Sequence, residues 1–81
     1  MIGKRFEPVK GQVYTNTGGG AFLCLGGIHE TPYTVEQSFS AFMINVMSGW
    51  TFMASGLIQY EDGTIEWDYS SGGHFGEVTV A

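Results

Sequence analysis

The chain has 81 residues, with three lysine and arginine side chains against eight aspartates and glutamates and a net charge of −5. At 43% hydrophobic and 15% aromatic content it is too apolar for intrinsic disorder, and its length allows one small core and no second one. No apolar run approaches the ~18 residues of a membrane span, no leader is expected, and a lone Cys24 gives no disulfide framework.

The charge is unevenly placed. Lys4, Arg5 and Lys10 are all the basic residues, so positions 11–81 hold seven acids and no cation. Nucleic-acid binding rests on Lys and Arg neutralising phosphates, which makes binding to nucleic acid or to an anionic membrane unexpected. Residues 1–10 read as a basic N-terminal arm, with Pro8 pushing Glu7 towards an extended conformation. Residues 11–81 read as a single small β domain.

Gln12–Thr15 is a short strand candidate, followed by a turn over Asn16–Gly20, where three glycines accept positive φ. Ala21–Leu25 resumes as an apolar strand that Gly26-Gly27 ends or kinks. Over 34–40 the Thr34/Gln37 spacing resembles a capping box, which suggests one short helical turn before a strand that runs to Met47. A single helix over 34–47, supported by the spacing of Val35, Phe39 and Phe42, is the alternative. Ser48-Gly49 suits a tight two-residue hairpin.

Trp50, Phe52 and Ala54 then share one face of a strand whose other face carries Thr51, Met53 and Ser55. Gly56 lets the chain bend before Leu57–Tyr60. Asp62-Gly63 is a strong hairpin signal. Thr64–Tyr69 alternates, with Ile65, Trp67 and Tyr69 expected inward and Thr64, Glu66 and Asp68 outward. Ser70–Gly73 reads as a turn and Phe75–Val80 as a short last strand. The expected fold class is all-β: a small antiparallel barrel or strongly bent sheet of five or six strands, SH3-like or OB-like in size.

The run Asn45-Val46-Met47-Ser48-Gly49-Trp50-Thr51-Phe52, with Asp62-Gly63-Thr64-Ile65-Glu66-Trp67-Asp68-Tyr69-Ser70, resembles small bacteriophage and mobile-element proteins of gut Firmicutes, over about residues 41–76. The resemblance implies a phage or mobile-element accessory role inside the bacterial host cell, such as sponging a host immune signal or blocking a host defence protein. It implies no mechanism.

No catalytic constellation is legible. Cys24 lies in an apolar strand, where a thiol is inert. Only His29 and His74 could serve as a general base near neutral pH, and nothing local pairs either with Cys24. Two histidines 45 positions apart make no metal site, and Asp68 with His74 across the 70–73 turn is at best half of one. Gly18-Gly19-Gly20 matches neither a dinucleotide fingerprint nor a P-loop and reads as a plain turn, with an anion nest as the other reading.

The aromatic side chains are the most suggestive feature. Tyr14, Trp50, Phe52, Tyr60, Trp67, Tyr69 and Phe75 are many for so small an interior, though a small barrel also needs large side chains to fill it. The expected function is a non-enzymatic binding protein without cofactor or metal, cytoplasmic and homo-oligomeric, that takes a small molecule or a host protein. Its candidate ligand-binding residues are Trp50, Phe52, Trp67, Tyr69, His74, Tyr14, Lys4 and Arg5. The alternative is a structural module that forms homo-oligomers or part of a virion, through its aromatic face and strand edges.

Overall fold

In a computed structural model, which describes residues 3–31 and 36–72, the chain folds into eight short strands in two antiparallel sheets. In chain order these are β1 (Lys4–Arg5), β2 (Val13–Thr15), β3 (Ala21–Glu30), β4 (Phe39–Asn45), β5 (Thr51–Ser55), β6 (Ile58–Gln59), β7 (Ile65–Glu66) and β8 (Tyr69–Gly72). The larger sheet has the order β2-β3-β4-β5-β8 and the smaller one β1-β6-β7. One parallel bridge, Asn16 to Ile65, joins them.

The all-β expectation holds, and there is no helix among the described residues. Of the two forms expected, a barrel or a bent sheet, the closed barrel does not form among the described residues. The edge strands β2 and β8 of the large sheet are not paired to each other, so the two sheets stay open. The described residues alone hold eight strands rather than five or six, because turns and sheet changes cut the chain more often than the apolar pattern shows.

Hydrophobic alternation builds the core from one face of the large sheet. Cys24 stands opposite Met43, Met43 opposite Phe52, and Ala41 opposite Ala54. With Phe22 these side chains are buried, and Leu57 and Ile65 from the side of the small sheet close over them at 0% exposure. Phe22 meets Phe52 and Trp67 edge-on, at centroid distances of 5.6 and 5.1 Å. Trp67 also leans on Phe52 at 5.2 Å. Edge-on ring pairs at such distances add stabilisation beyond the area they bury.

The β3 strand runs through Gly26-Gly27 instead of ending there. The register with β4 slips twice between Cys24 and His29, as β-bulges require. Gly27 has φ of 64°, and a Cβ there would collide with the Phe42 ring. Glycine therefore lets the strand bend instead of stopping it.

Other readings change as well. Residues 39–45 are strand β4, which excludes a helix over 34–47. The described part of 34–40 is a bend leading into that strand, while residues 32–35 lie outside the described residues. The β4–β5 connection is a four-residue turn over 46–49, closed by Asn45 and Trp50: the Asn45 N–H donates to the Trp50 carbonyl at 2.8 Å. The alternating run 64–69 is not one strand. Ile65 is buried in the small sheet, Trp67 is half-buried, and Tyr69 starts β8 in the large sheet at 43% exposure. The chain changes sheets at Asp68, whose N–H donates to the Ser55 carbonyl at 2.8 Å. Ser70–Gly72 accordingly belong to β8 and not to a turn. The strand expected over Phe75–Val80 lies outside the described residues. Lys4–Arg5, within the stretch read as an arm, form β1 and pair with Gln59 and Ile58.

Candidate functional site

The structure separates the residues that the sequence grouped. Phe52 is a core side chain at 4% exposure, and Trp67 is packed against it and Phe22. Tyr14 is half-buried beside Phe6 at a centroid distance of 5.5 Å, and its hydroxyl accepts the Val9 N–H at 3.0 Å. Its ring therefore braces the segment from Phe6 to Val9 against β2. Trp50 and Tyr69 are exposed but lie towards opposite ends of the large sheet. Tyr69 faces Ser55 across the β5–β8 pair, five residues along β5 from Trp50, or roughly 16 Å at strand rise. His74 lies outside the described residues.

Lys4 and Arg5 remain, and they line an open cleft of ≈ 380 Å³ together with Phe6, Gln59, Tyr60 and Glu61. The cleft is built where β1 crosses β6. Lys4 stands opposite Gln59 and Arg5 opposite Ile58, and alternation turns neighbouring residues of so short a strand to opposite sides. The turn after β6 returns tightly: the Tyr60 N–H donates to the Thr64 carbonyl and the Gly63 N–H to the Tyr60 carbonyl, both at 2.9 Å. This holds Tyr60 and Glu61 at the cleft wall.

The two cations differ in availability. Arg5 is tied down: Nη1 donates to the Gly56 carbonyl at 3.1 Å and to Asp68 Oδ2 at 3.2 Å, and Nε lies 3.8 Å from Glu36. It fastens β1 to the point where the chain leaves the large sheet. Lys4 is exposed and has no ion pair among the described residues. An anion entering the cleft would therefore meet the Lys4 ammonium first.

The other chemical candidates are held in structural roles. Burial pushes the Cys24 thiol above its ordinary pKa, offset in part by a backbone hydrogen bond to Gly26. It is therefore a neutral core thiol at physiological pH. His29 is exposed and donates from Nδ1 to the Gly27 carbonyl at 2.7 Å, which helps to hold the bulge. Thr31 Oγ1 and Ser40 Oγ share a buried hydrogen bond of 2.6 Å, and Thr31 Oγ1 also accepts the Gly56 N–H at 3.3 Å. That pair satisfies polar groups which burial would otherwise strand. In the Gly18–Gly20 turn the Gly20 N–H donates to Asn16 Oδ1 at 2.7 Å, so this amide is used internally instead of facing an anion. No group of three metal-ligating side chains occurs among the described residues.

Phe6, Gln59, Tyr60 and Glu61 were not singled out together by the sequence, although Tyr60 counts among its surplus rings. The signal that could have found them is the Asp62-Gly63 hairpin, which fixes residues 59–61 on one strand end. The partner strand β1, more than fifty positions earlier, has no periodicity to reveal it. No family model, no curated protein and no solved structure matches the chain.

Proposed function

We propose that the chain is a stoichiometric binding protein without enzymatic activity, whose ligand is a small molecule carrying a planar ring and one anionic group. The observation that carries this reading is the β1–β6 cleft of ≈ 380 Å³, lined by Lys4, Arg5, Phe6 and Tyr60, in which Lys4 is the cation left exposed. That volume falls within the range of small-molecule sites, about 300–1,000 Å³. Lys4 supplies charge for the anionic group. Tyr60 offers a flat face for the ring, an interaction that tolerates many planar partners. Gln59 and Glu61 provide hydrogen-bonding groups that would select one ring edge over another. In the mobile-element setting implied by the resemblance, a host signalling nucleotide is the ligand class to test first, with sequestration as the role.

Native mass spectrometry of the protein purified from cells should show a bound small molecule, and nucleotides or aromatic carboxylates should raise the melting temperature. Lys4→Glu should abolish the shift, since Lys4 is exposed and its loss leaves the fold intact. Tyr60→Ala should weaken it, and Trp50→Ala should leave it unchanged. A chain that carries no extra mass and responds to none of these compounds would refute the proposal, as would a shift that survives Lys4→Glu.

A further inference from the structure

The two walls of the β1–β6 cleft differ in hydrogen-bonding character. On the β6 side, Gln59 Nε2 donates to the Gly63 carbonyl at 3.2 Å. A backbone carbonyl only accepts, so the amide nitrogen is committed to the turn and the amide oxygen is the group that Gln59 has left to offer. Glu61, two residues on, is exposed, and its carboxylate has no ion pair or hydrogen bond among the described residues. A carboxylate likewise only accepts. This wall therefore takes hydrogen bonds and gives none from these two side chains.

Positive charge comes from the opposite wall. Lys4 stands across from Gln59, about 5 Å away between Cβ atoms. It pairs neither with Glu61 nor with any other described acid, whereas Arg5 spends Nη1 on Gly56 and Asp68. Between the walls, the Tyr60 ring is seated against Gly3: a Cβ there would come within 3.0 Å of Cε1 and 3.3 Å of Cδ1. The ring and the Gln59 acceptor are thus in place before a ligand arrives, which lowers the cost of binding one.

We propose, on the reading of this cleft as a small-molecule site, that its ligand is a guanine nucleotide. A wall of acceptors is matched by a ring edge that presents donors side by side. The Watson–Crick edge of guanine does so, with N1–H next to the 2-amino group. Adenine and cytosine set their amino group beside an acceptor nitrogen, and uracil flanks its one N–H with two carbonyl oxygens. Each of these would turn a lone pair towards a carboxylate or an amide oxygen, which costs more than a missing bond. The phosphate then reaches the other wall, where Lys4 meets it as a point charge. Donor edge and anion are taken from opposite walls, and Lys4 and Glu61 stay apart. A nucleotide, with the two groups at its two ends, suits that layout better than an amino acid, whose ammonium and carboxylate share one carbon.

Isothermal titration calorimetry of the full chain with guanosine, inosine and adenosine 5′-monophosphates tests the assignment. Guanosine monophosphate should bind about tenfold or more tighter than inosine monophosphate, which lacks the 2-amino donor to a charged acceptor. Adenosine monophosphate should bind more weakly still. Glu61→Gln should reduce the preference for guanine over adenine by about tenfold, because an amide can turn an N–H towards the adenine N1. Glu61 is an exposed turn residue, so this variant should fold like the parent. Equal affinities, a preference for adenosine monophosphate, or a guanine preference untouched by Glu61→Gln would each overturn the assignment and leave the cleft as a binding site. An aromatic carboxylate that binds where all three nucleotides fail would do the same. If none of these compounds binds, the small-molecule reading of the cleft falls together with the guanine assignment.

Discussion

The two sheets solve different problems with the same chain. The large sheet draws its central strands β3, β4 and β5 from long apolar runs, and registered pairs such as Met43–Phe52 and Ala41–Ala54 bury their side chains almost completely. The small sheet is made of two-residue strands. It stays in place because Leu57 and Ile65 are fully buried and Arg5 ties β1 to Gly56 and Asp68. Stability therefore comes chiefly from one sheet. The other, anchored at a few points, is left free to carry the charged and aromatic groups around the cleft.

The sharpest way to break this division is through Phe52. As a core ring at 4% exposure, packed against Phe22 and Trp67, it should cost about 3–5 kcal/mol when replaced by alanine. That is comparable to the whole stability of a domain this small, so urea denaturation of Phe52→Ala should show a largely unfolded population already in buffer. A folded variant that lost only ligand binding would instead put Phe52 in a site.

Gly56 tests the link between the sheets. It has φ of +73°, and a Cβ there would run into the Asp68 carboxylate. Its N–H also lies 3.1 Å from the Phe39 carbonyl, and its own carbonyl accepts from Arg5. Gly56→Ala should cost about 2–3 kcal/mol: the left-handed backbone accounts for roughly 1–2 of it, and displacement of Asp68 for the rest. In an Asp68→Ala background the cost should fall to the backbone part alone. Equal costs in both backgrounds would mean that the carboxylate does not constrain the crossing.

The same division explains what the sequence could and could not reveal. Wherever strands are long and apolar on one face, as in Ala21–Leu25 and Thr51–Ser55, the pattern of alternation located them. The Asp62-Gly63 turn was equally plain, because its chemistry is local. The run 64–69 misled because alternation records which way side chains point and not which sheet a residue joins. The sheet change at Asp68 depends on Ser55 and Arg5, which lie far off in the chain. Gly26-Gly27 looked like a stop because glycine ends strands and makes bulges alike. For the cleft, Lys4 and Arg5 stood out as rare cations, yet a two-residue strand offers no period by which to find its partners Gln59 and Ile58. The rings of Phe52 and Trp67 could not be assigned to core or surface without that packing.

The smallest expected effect lies at the β6–β7 turn beside the cleft. Asp62 Oδ1 accepts the Thr64 hydroxyl at 2.6 Å and the Thr64 N–H at 3.0 Å. These bonds, the hydroxyl first, hold its carboxyl below the usual aspartate pKa. Because both favour the ionised form, their contribution to stability is complete above the unfolded-chain value of about 3.9, and is lost as pH falls from there through the lower folded value. An NMR titration should place the Asp62 inflection below that of a free aspartate. Thr64→Val should move it part of the way back, since the hydroxyl goes while the backbone N–H remains. The group is fully exposed, so global stability should barely respond and the effect should be confined to the turn that positions Tyr60 and Glu61. An unchanged inflection in Thr64→Val would show that the backbone amide alone shapes this turn.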